Sequence, residues 1–411
     1  MINKVFSAKQ LDEKDPLSSK ADAFSLPNDT IYLDGNSLGP LPKNAEKRAS
    51  EVVKVQWGEG LITSWNEHQW ITLPQQVGDK IGTLIGAKQG QVICCDSISI
   101  NLFKVLSAAL KMHPERKVIA TTRDNFPTDI YMVQGLLDLL GDEYSIRYID
   151  ENSIGAQLSD DIAVLMLTQV NFRSGLKLDM KDITDKAHKM GILTLWDLAH
   201  SAGAFPVHLD EYNVDFAVGC TYKYLNGGPG APAFIYVARR HQGSYNQPLS
   251  GWMGHHSPFS FNPDYVPDTS VKQNLCGTPG IIGMSILDSA LDVFDDVSLR
   301  AIDEKSKKLQ AFFIAEAKRA GLLDELKVVS PPLDNRGSQI AFAHEHAYAI
   351  CQAWIAQGVI ADFRAPDILR VGFAPLYLSF ADIENAISSL TTIMREKHYD
   401  KAAFKQKQHV T

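Results

Sequence analysis

Apolar residues fall along this chain in short solid runs separated by stretches with helical spacing. The runs Gln91–Cys95, Lys117–Thr122, Ile162–Val170, Ile192–Asp197, Val214–Cys220 and Ala233–Ala238 hold few polar residues and many β-branched ones, a pattern that predicts strands buried on both faces. Between them, Asn101–Met112 sets Leu102, Val105, Leu106, Ala109 and Leu110 on one helical face, and Ile130–Leu140 and Asp182–Met190 also read as helices. Strand, helix, strand at this spacing predicts right-handed crossovers and a mostly parallel sheet with helices on both faces. Farther on, Ile281–Phe294 and Leu299–Ala320 are long helical patterns, followed by a strand at Ser338–Ala343, a helix at Ala347–Gln357, an apolar stretch at Ile368–Ala374 and a closing helix at Phe380–Lys397. The expected division is a segment 1–50 packing with the C-terminal part, a large unit 51–285, and a smaller α+β unit 286–411.

Bulk properties narrow the function classes. A chain of 411 residues is long enough for two domains, and 45% hydrophobic with 21% charged residues describes an ordinary globular protein. A net charge of −8 without any dense basic run argues against nucleic acid as a partner. Five cysteines without paired metal spacing fit free thiols in a reducing compartment, and Cys94 and Cys95 read as core. The opening MINKVFSAKQLDEKDP lacks the apolar stretch of a signal peptide, and no apolar run reaches a membrane-spanning length, so a cytoplasmic protein is expected. No metal site is expected, because His344-Glu345-His346 lacks zinc-helix spacing and the pair His255, His256 reads as solvated loop.

Candidate chemistry gathers at the ends of two apolar runs. Val214–Cys220 stops at Thr221, Tyr222, Lys223 and Tyr224, and the Asn226, Gly227, Gly228, Pro229, Gly230 that follow cannot continue a helix. A lysine just past a buried strand sits where α/β sheets place ligands, although a lone loop lysine is usually solvated. Upstream, Ile192–His200 carries Asp197 and His200. A strand-end carboxylate either caps a neighbouring helix or needs a cation. Pyridoxal phosphate unites the two, since its ring nitrogen needs a carboxylate and its aldehyde a lysine amine. Ser97 and Ser99 before the predicted helix at Asn101 are either caps or donors to a phosphate. Arg370, in apolar surroundings, would grip a carboxylate in fork geometry or form an internal ion pair. A dinucleotide fold is excluded: Gly228, Gly230 and Ala233 lead into a strand, where that motif must open a helix.

Eight stretches in order then carry a resemblance: YLDGNSLGPLP from Tyr32, NLFKVL from Asn101, DNFPTD from Asp124, LTQVNFRSG from Leu167, LWDLAHSAGA from Leu195, GCTYKYLNGGPGAPAF from Gly219, GWMGH from Gly251 and LRVGFAPLY from Leu369. The chain resembles the kynureninases, fold-type-I pyridoxal-phosphate enzymes, over nearly its whole length. That resemblance implies a large domain with a mostly parallel seven-stranded sheet between helices, a smaller α+β domain, and a homodimer with the active site shared between subunits. It implies Lys223, Tyr222 and Asp197 as catalytic, and Ile98, Ser99, Phe126, Asp129, Thr168, His200, Trp252 and Thr278 as further cofactor contacts, the last two reaching across the dimer interface. Arg370, Trp65, Asn36 and Ser37 are the implied substrate contacts. The implied reaction is hydrolysis of the Cβ–Cγ bond of L-kynurenine to anthranilate and L-alanine, in tryptophan catabolism or NAD biosynthesis, with 3-hydroxykynurenine handled less well given Trp65 and Thr278. A cysteine desulfurase or a small-substrate aminotransferase would share Asp197 and Lys223. Cys351 in a helical pattern and Cys276 in the cofactor tract are poor choices for a desulfurase nucleophile.

Overall fold

The computed structural model describes residues 7–408; the first six residues of the polar lead-in lie outside them. The described chain forms two compact units. One comprises residues 45–171 and 178–291; the other takes the residues before 45, the short segment Phe172–Lys177, and those from Asp292 onward.

The first unit is built on seven strands: β1 Val92–Cys94, β2 Val118–Thr122, β3 Ser145–Ile149, β4 Ile162–Thr168, β5 Leu193–Asp197, β6 Phe216–Gly219 and β7 Phe234–Val237. Their spatial order is β1-β7-β6-β5-β4-β2-β3. The run from β6 to β3 is parallel, while β7 pairs antiparallel with both β6 and β1. Every residue of β2, β4, β5, β6 and β7 is buried, which is why these strands read as solid apolar runs. β3, the edge strand, has only Ile149 buried; its polar, half-exposed pattern hid it from the sequence reading. Helix Leu73–Leu84, with Pro74 in its first turn, was likewise not anticipated.

Two helices begin earlier than their apolar periodicity suggests, and the shift bears on the site. Ile98–Met112 starts at a Ser97 cap whose hydroxyl accepts the Ile100 N–H, so Ile98 and Ser99 lie inside the first turn. Pro127–Leu140 starts with a proline at its first position, which leaves Phe126 as the cap and Asp129 in the first turn. Parallel strands β2, β4, β5 and β6 are adjacent, so all four of their C-terminal ends open onto one edge of the sheet.

The second unit holds an antiparallel sheet of β8 Lys327–Val328, β9 Gln339–Ala343, β10 Asp362–Arg364 and β11 Ile368–Gly372, in the order β8-β9-β11-β10. Helices Leu299–Arg319, Ala347–Ile355 and Phe380–Arg395 belong to it. The N-terminal residues are stitched into this unit: the Asp12 carboxylate accepts the Phe380 and Ala381 N–H groups, Asp15 pairs with Lys305, and Ile31–Tyr32 runs parallel to Val359–Ile360. Phe380–Arg395 begins at a Ser379–Asp382 capping box, so Asp12 adds a second carboxylate at that positive helix end.

Candidate active site

In the first unit, the crest formed by β2, β4, β5 and β6 brings together Lys223, Tyr222, His200, Phe126, Asp129, Asp197 and Thr168. Lys223 follows β6, and its Nζ lies 3.0 Å from His200 Nε2, after the end of β5. The same amine stands 5.9 Å from the centre of the Phe126 ring and 5.8 Å from that of Tyr222. Phe126 is 41% exposed beside the amine. Asn226, at φ +57°, and Gly228 and Gly230, at +87° and +72°, turn the chain back toward β7 after Lys223.

Beneath the amine lie two buried carboxylates. Asp197 ends β5 at 3% exposure, and its Oδ1 accepts the Ala199 N–H at 2.7 Å. Asp129 is 1% exposed, and among the described residues neither of its oxygens has a hydrogen-bond donor in range. Burial, and then the charge of Asp197, push the Asp129 carboxyl well above the ordinary value. Burial raises Asp197 as well, with Lys223 pulling the other way. Two buried carboxylates with one lysine near them are short of positive charge, so the chain fits a ligand that brings a cation into this crest.

One side chain that sequence reasoning passed over ties the crest together. Asn125 donates to Thr121 Oγ1 at 3.0 Å, and its Oδ1 accepts both the Phe126 N–H, at 2.7 Å, and the Thr168 hydroxyl, at 2.5 Å. It fixes Phe126 and the end of β4 to β2. Only its place in DNFPTD hinted at a role.

The remaining candidates of this unit lie elsewhere. Trp65, in the short helix Ser64–Glu67, meets Trp70 edge to face at 5.9 Å, while Trp70 is buried with its Nε1 on Gln56. Trp252 is 39% exposed and edge-on to Phe259, and Thr278 lines a cavity of about 410 Å³ with Asp96, Pro232 and Cys276. Among the described residues, neither Trp252 nor Thr278 makes a hydrogen bond or ring contact with Lys223, Asp197 or Phe126 of the same chain. Burial pushes the thiols of Cys351 and Cys276 up, the reverse of what an attacking sulfur needs.

In the second unit, Arg370 on β11 is 1% exposed. Its Nε donates to Asp362 Oδ1 at 2.9 Å and its Nη2 to Asp362 Oδ2 and to Ser37 Oγ, so Asp362 fills the guanidinium fork. Nη1 donates to the Phe172 carbonyl at 2.6 Å and keeps one further N–H. Of the two arrangements weighed for this arginine, the internal ion pair is the one formed, with a single N–H left over. Asp362, on β10 directly across from Arg370, was not anticipated, because nothing in the local pattern shows that the two strands pair. Ser37 also receives Arg364 Nη2 and donates to Asp362, and with its amide turned Asn36 accepts from Arg370 Nε and Nη2. Gly372 makes that approach feasible, since a Cβ there would stand 1.8 Å from Asn36 Oδ1.

Burial alone would push the Asp362 carboxyl up, yet Arg370 and Arg364 together hold it below the ordinary value. A depressed carboxyl stabilises the fold above its unfolded pKa, and that contribution is lost as pH falls through the folded one. Asp362→Ala is expected to cost about 3–5 kcal/mol in chemical denaturation, because it strands a buried guanidinium. In the variant, the acid-side fall in stability should shrink. Asp34 behaves oppositely: burial and then Asp362 push it up to about 7.

Comparison with known proteins places this geometry. Residues 302–390 match the family model described as the kynureninase C-terminal domain. A kynureninase of Burkholderia pseudomallei is 47% identical over 98% of this chain and 99% of its own length, and one of Deinococcus radiodurans is 46% identical over 94% and 95%. Among solved structures, a C-DES variant with glycine covalently linked to its pyridoxal-phosphate cofactor superposes with a TM-score of 0.77 at 16% identity, covering 89% of this chain and 97% of that one. A cysteine desulfurase from Thermococcus onnurineus gives 0.75 at 15% identity, covering 96% and 99%. At such identities these two structures speak for the fold, while the long, nearly half-identical relatives speak for the family. The chain belongs to the kynureninase family.

Proposed function

We propose that this chain hydrolyses the Cβ–Cγ bond of L-kynurenine, giving anthranilate and L-alanine, with pyridoxal phosphate held on the crest of the first unit. The observation that carries the reading is the buried pair Asp129 and Asp197 beneath Lys223, a set of groups short of one cation. When bound, pyridoxal phosphate supplies the electron sink for a carbanion on the amino acid.

The chain's own residues do the rest. Asp197, with Asp129 coupled to it, would hold the cationic ring nitrogen and supply its counter-charge. Phe126, with His200 and Thr168 at the neighbouring strand ends, would hold the cofactor's ring. Ile98 and Ser99, in the first helical turn after Ser97, offer amides and a hydroxyl to a phosphate. Arg370, through its remaining Nη1–H, takes the substrate's α-carboxylate, with Ser37 and Asn36 holding the guanidinium in place. Lys223 removes the α-proton, and Tyr222 delivers a proton to Cβ once the bond has broken. Water supplies the oxygen that ends in the new carboxylate.

The chain acts as a cytoplasmic homodimer in this reading, with Trp252 and Thr278 serving the partner's site. The exposed apolar side chains of Trp252, Phe259 and Phe261, at 39%, 60% and 77%, support a covered surface there. Trp65 walls the aryl ring and favours the substrate without a 3-hydroxyl. No described helix is long and apolar enough to cross a membrane.

Mixing cofactor-loaded protein with L-kynurenine tests the reading. Equal amounts of anthranilate and alanine are expected. Cofactor-loaded protein that releases neither would sink it.

A further inference from the structure

Arg336 stands just before β9, where the segment Phe172–Lys177 is laid against the chain. Lys177 N–H donates to the Asn335 carbonyl and Gly337 N–H to the Gly175 carbonyl, both at 2.9 Å, and Leu176 bridges Arg336 antiparallel. Gly175, at φ +77°, packs on the arginine's stem; a Cβ there would lie 3.6 Å from Arg336 Cγ. The residue is consequently only 7% exposed.

What this guanidinium lacks is a partner. Among the described residues it makes no hydrogen bond and no ion pair, and Nε is buried with nothing to donate to. Among the described residues, the other buried lysines and arginine each have a carboxylate: Arg370 has Asp362, Lys305 has Asp15, and Lys104 has Asp96. Burial by itself pulls Arg336 down to about 10, with no neighbouring anion working against it. A buried, unmatched charge is costly, and proteins seldom keep one without a use for it. The same short segment also touches the other arginine, since the Phe172 carbonyl takes the Nη1–H of Arg370.

We propose that Arg336 is a carboxylate-binding residue whose counter-charge comes from a small-molecule ligand. The inference rests on the reaction proposed above. There, water adds to the ketone carbon, the Cβ–Cγ bond breaks with its electron pair going to Cβ, and Cβ takes a proton. The former ketone leaves as a carboxylic acid that ionises at neutral pH. One carboxylate enters and two leave, so the enzyme handles an anion that the substrate does not contain. Arg370 and Arg364 share Asp362, whereas Arg336 has no carboxylate of its own; its ligand is either the aryl carboxylate or, shared with Arg370, the α-carboxylate.

Binding of anthranilate and of L-alanine to the cofactor-loaded enzyme separates these sources, by anthranilate fluorescence and by calorimetry. In Arg336→Gln, the affinity for one of the two should fall about tenfold or more, the size of a lost charged hydrogen bond, and Arg336→Lys should recover part of it. A weakened anthranilate complex assigns the aryl product; a weakened alanine complex assigns the α-carboxylate. The melting temperature of the ligand-free variant should hold or rise, because an uncompensated charge has gone. Affinities within twofold of wild type for both ligands would overturn the proposal, as would failure of both Arg336→Gln and Arg336→Met to fold. Because the readout is binding, an enzyme that binds anthranilate through Arg336 yet never forms it would sink only the proposed reaction.

Discussion

Lys223→Ala should lower kynurenine turnover by about 10⁴-fold or more, since in the proposed reaction it removes both the amine that engages the cofactor aldehyde and the base that moves the α-proton. The lysine projects from the end of a fully buried strand, and its amine contacts His200, so its loss leaves the core of β6 intact. Circular dichroism and melting temperature should therefore stay near those of the parent, and the absorption band of cofactor joined to protein should vanish. A small primary amine added to the variant should restore a fraction of the proton transfer. Residual activity within a hundredfold of the parent would place the essential base elsewhere.

Asp197→Asn should cost less, about 10²- to 10⁴-fold in turnover, the rate equivalent of losing one buried charge pairing of about 3–5 kcal/mol. Its effect on the cofactor-free protein should have the opposite sign. Burial raises the carboxyls of Asp197 and Asp129 above their unfolded values, so each stabilises the fold only while protonated. That contribution is complete below the unfolded carboxylate pKa and is lost as pH rises through the folded one. Replacing Asp197 with a neutral amide should thus flatten the decline in stability of the cofactor-free protein on going from acid to neutral pH, while weakening cofactor retention. A variant that loses stability at neutral pH and keeps the cofactor would show that Asp197 serves the fold alone.

The sheet was legible because β2, β4, β5, β6 and β7 are buried on both faces, a condition that leaves only apolar residues in the string. Asp197 and Lys223 stood out for the same reason, as charges at the ends of such runs. β3 escaped because an edge strand keeps polar side chains toward water. The early helix starts at Ile98 and Pro127 were signalled by Ser97 and Pro127, both of which look like loop residues when apolar periodicity is the guide. Asp362 and Asn125 were invisible for a different reason. Each matters through a residue distant in sequence, Arg370 across the sheet in one case and Thr168 in the other, and such contacts are written in no local stretch.

The way the N-terminal residues are stitched into the second unit also sets an order of events during synthesis. Residues 45–171 and 178–291 can gather as soon as they emerge, but Ile31 must wait for Val359, its ladder partner. That is 359 − 31 = 328 residues later, roughly 16–66 s at a synthesis rate of about 5–20 residues per second. Asp12 waits longer still, for Phe380. Throughout that interval the sequence YLDGNSLG, with Asn36 and Ser37, has no Arg370 to hold, so a ribosome-bound chain should carry a protease-sensitive leader until nearly the last helix is made.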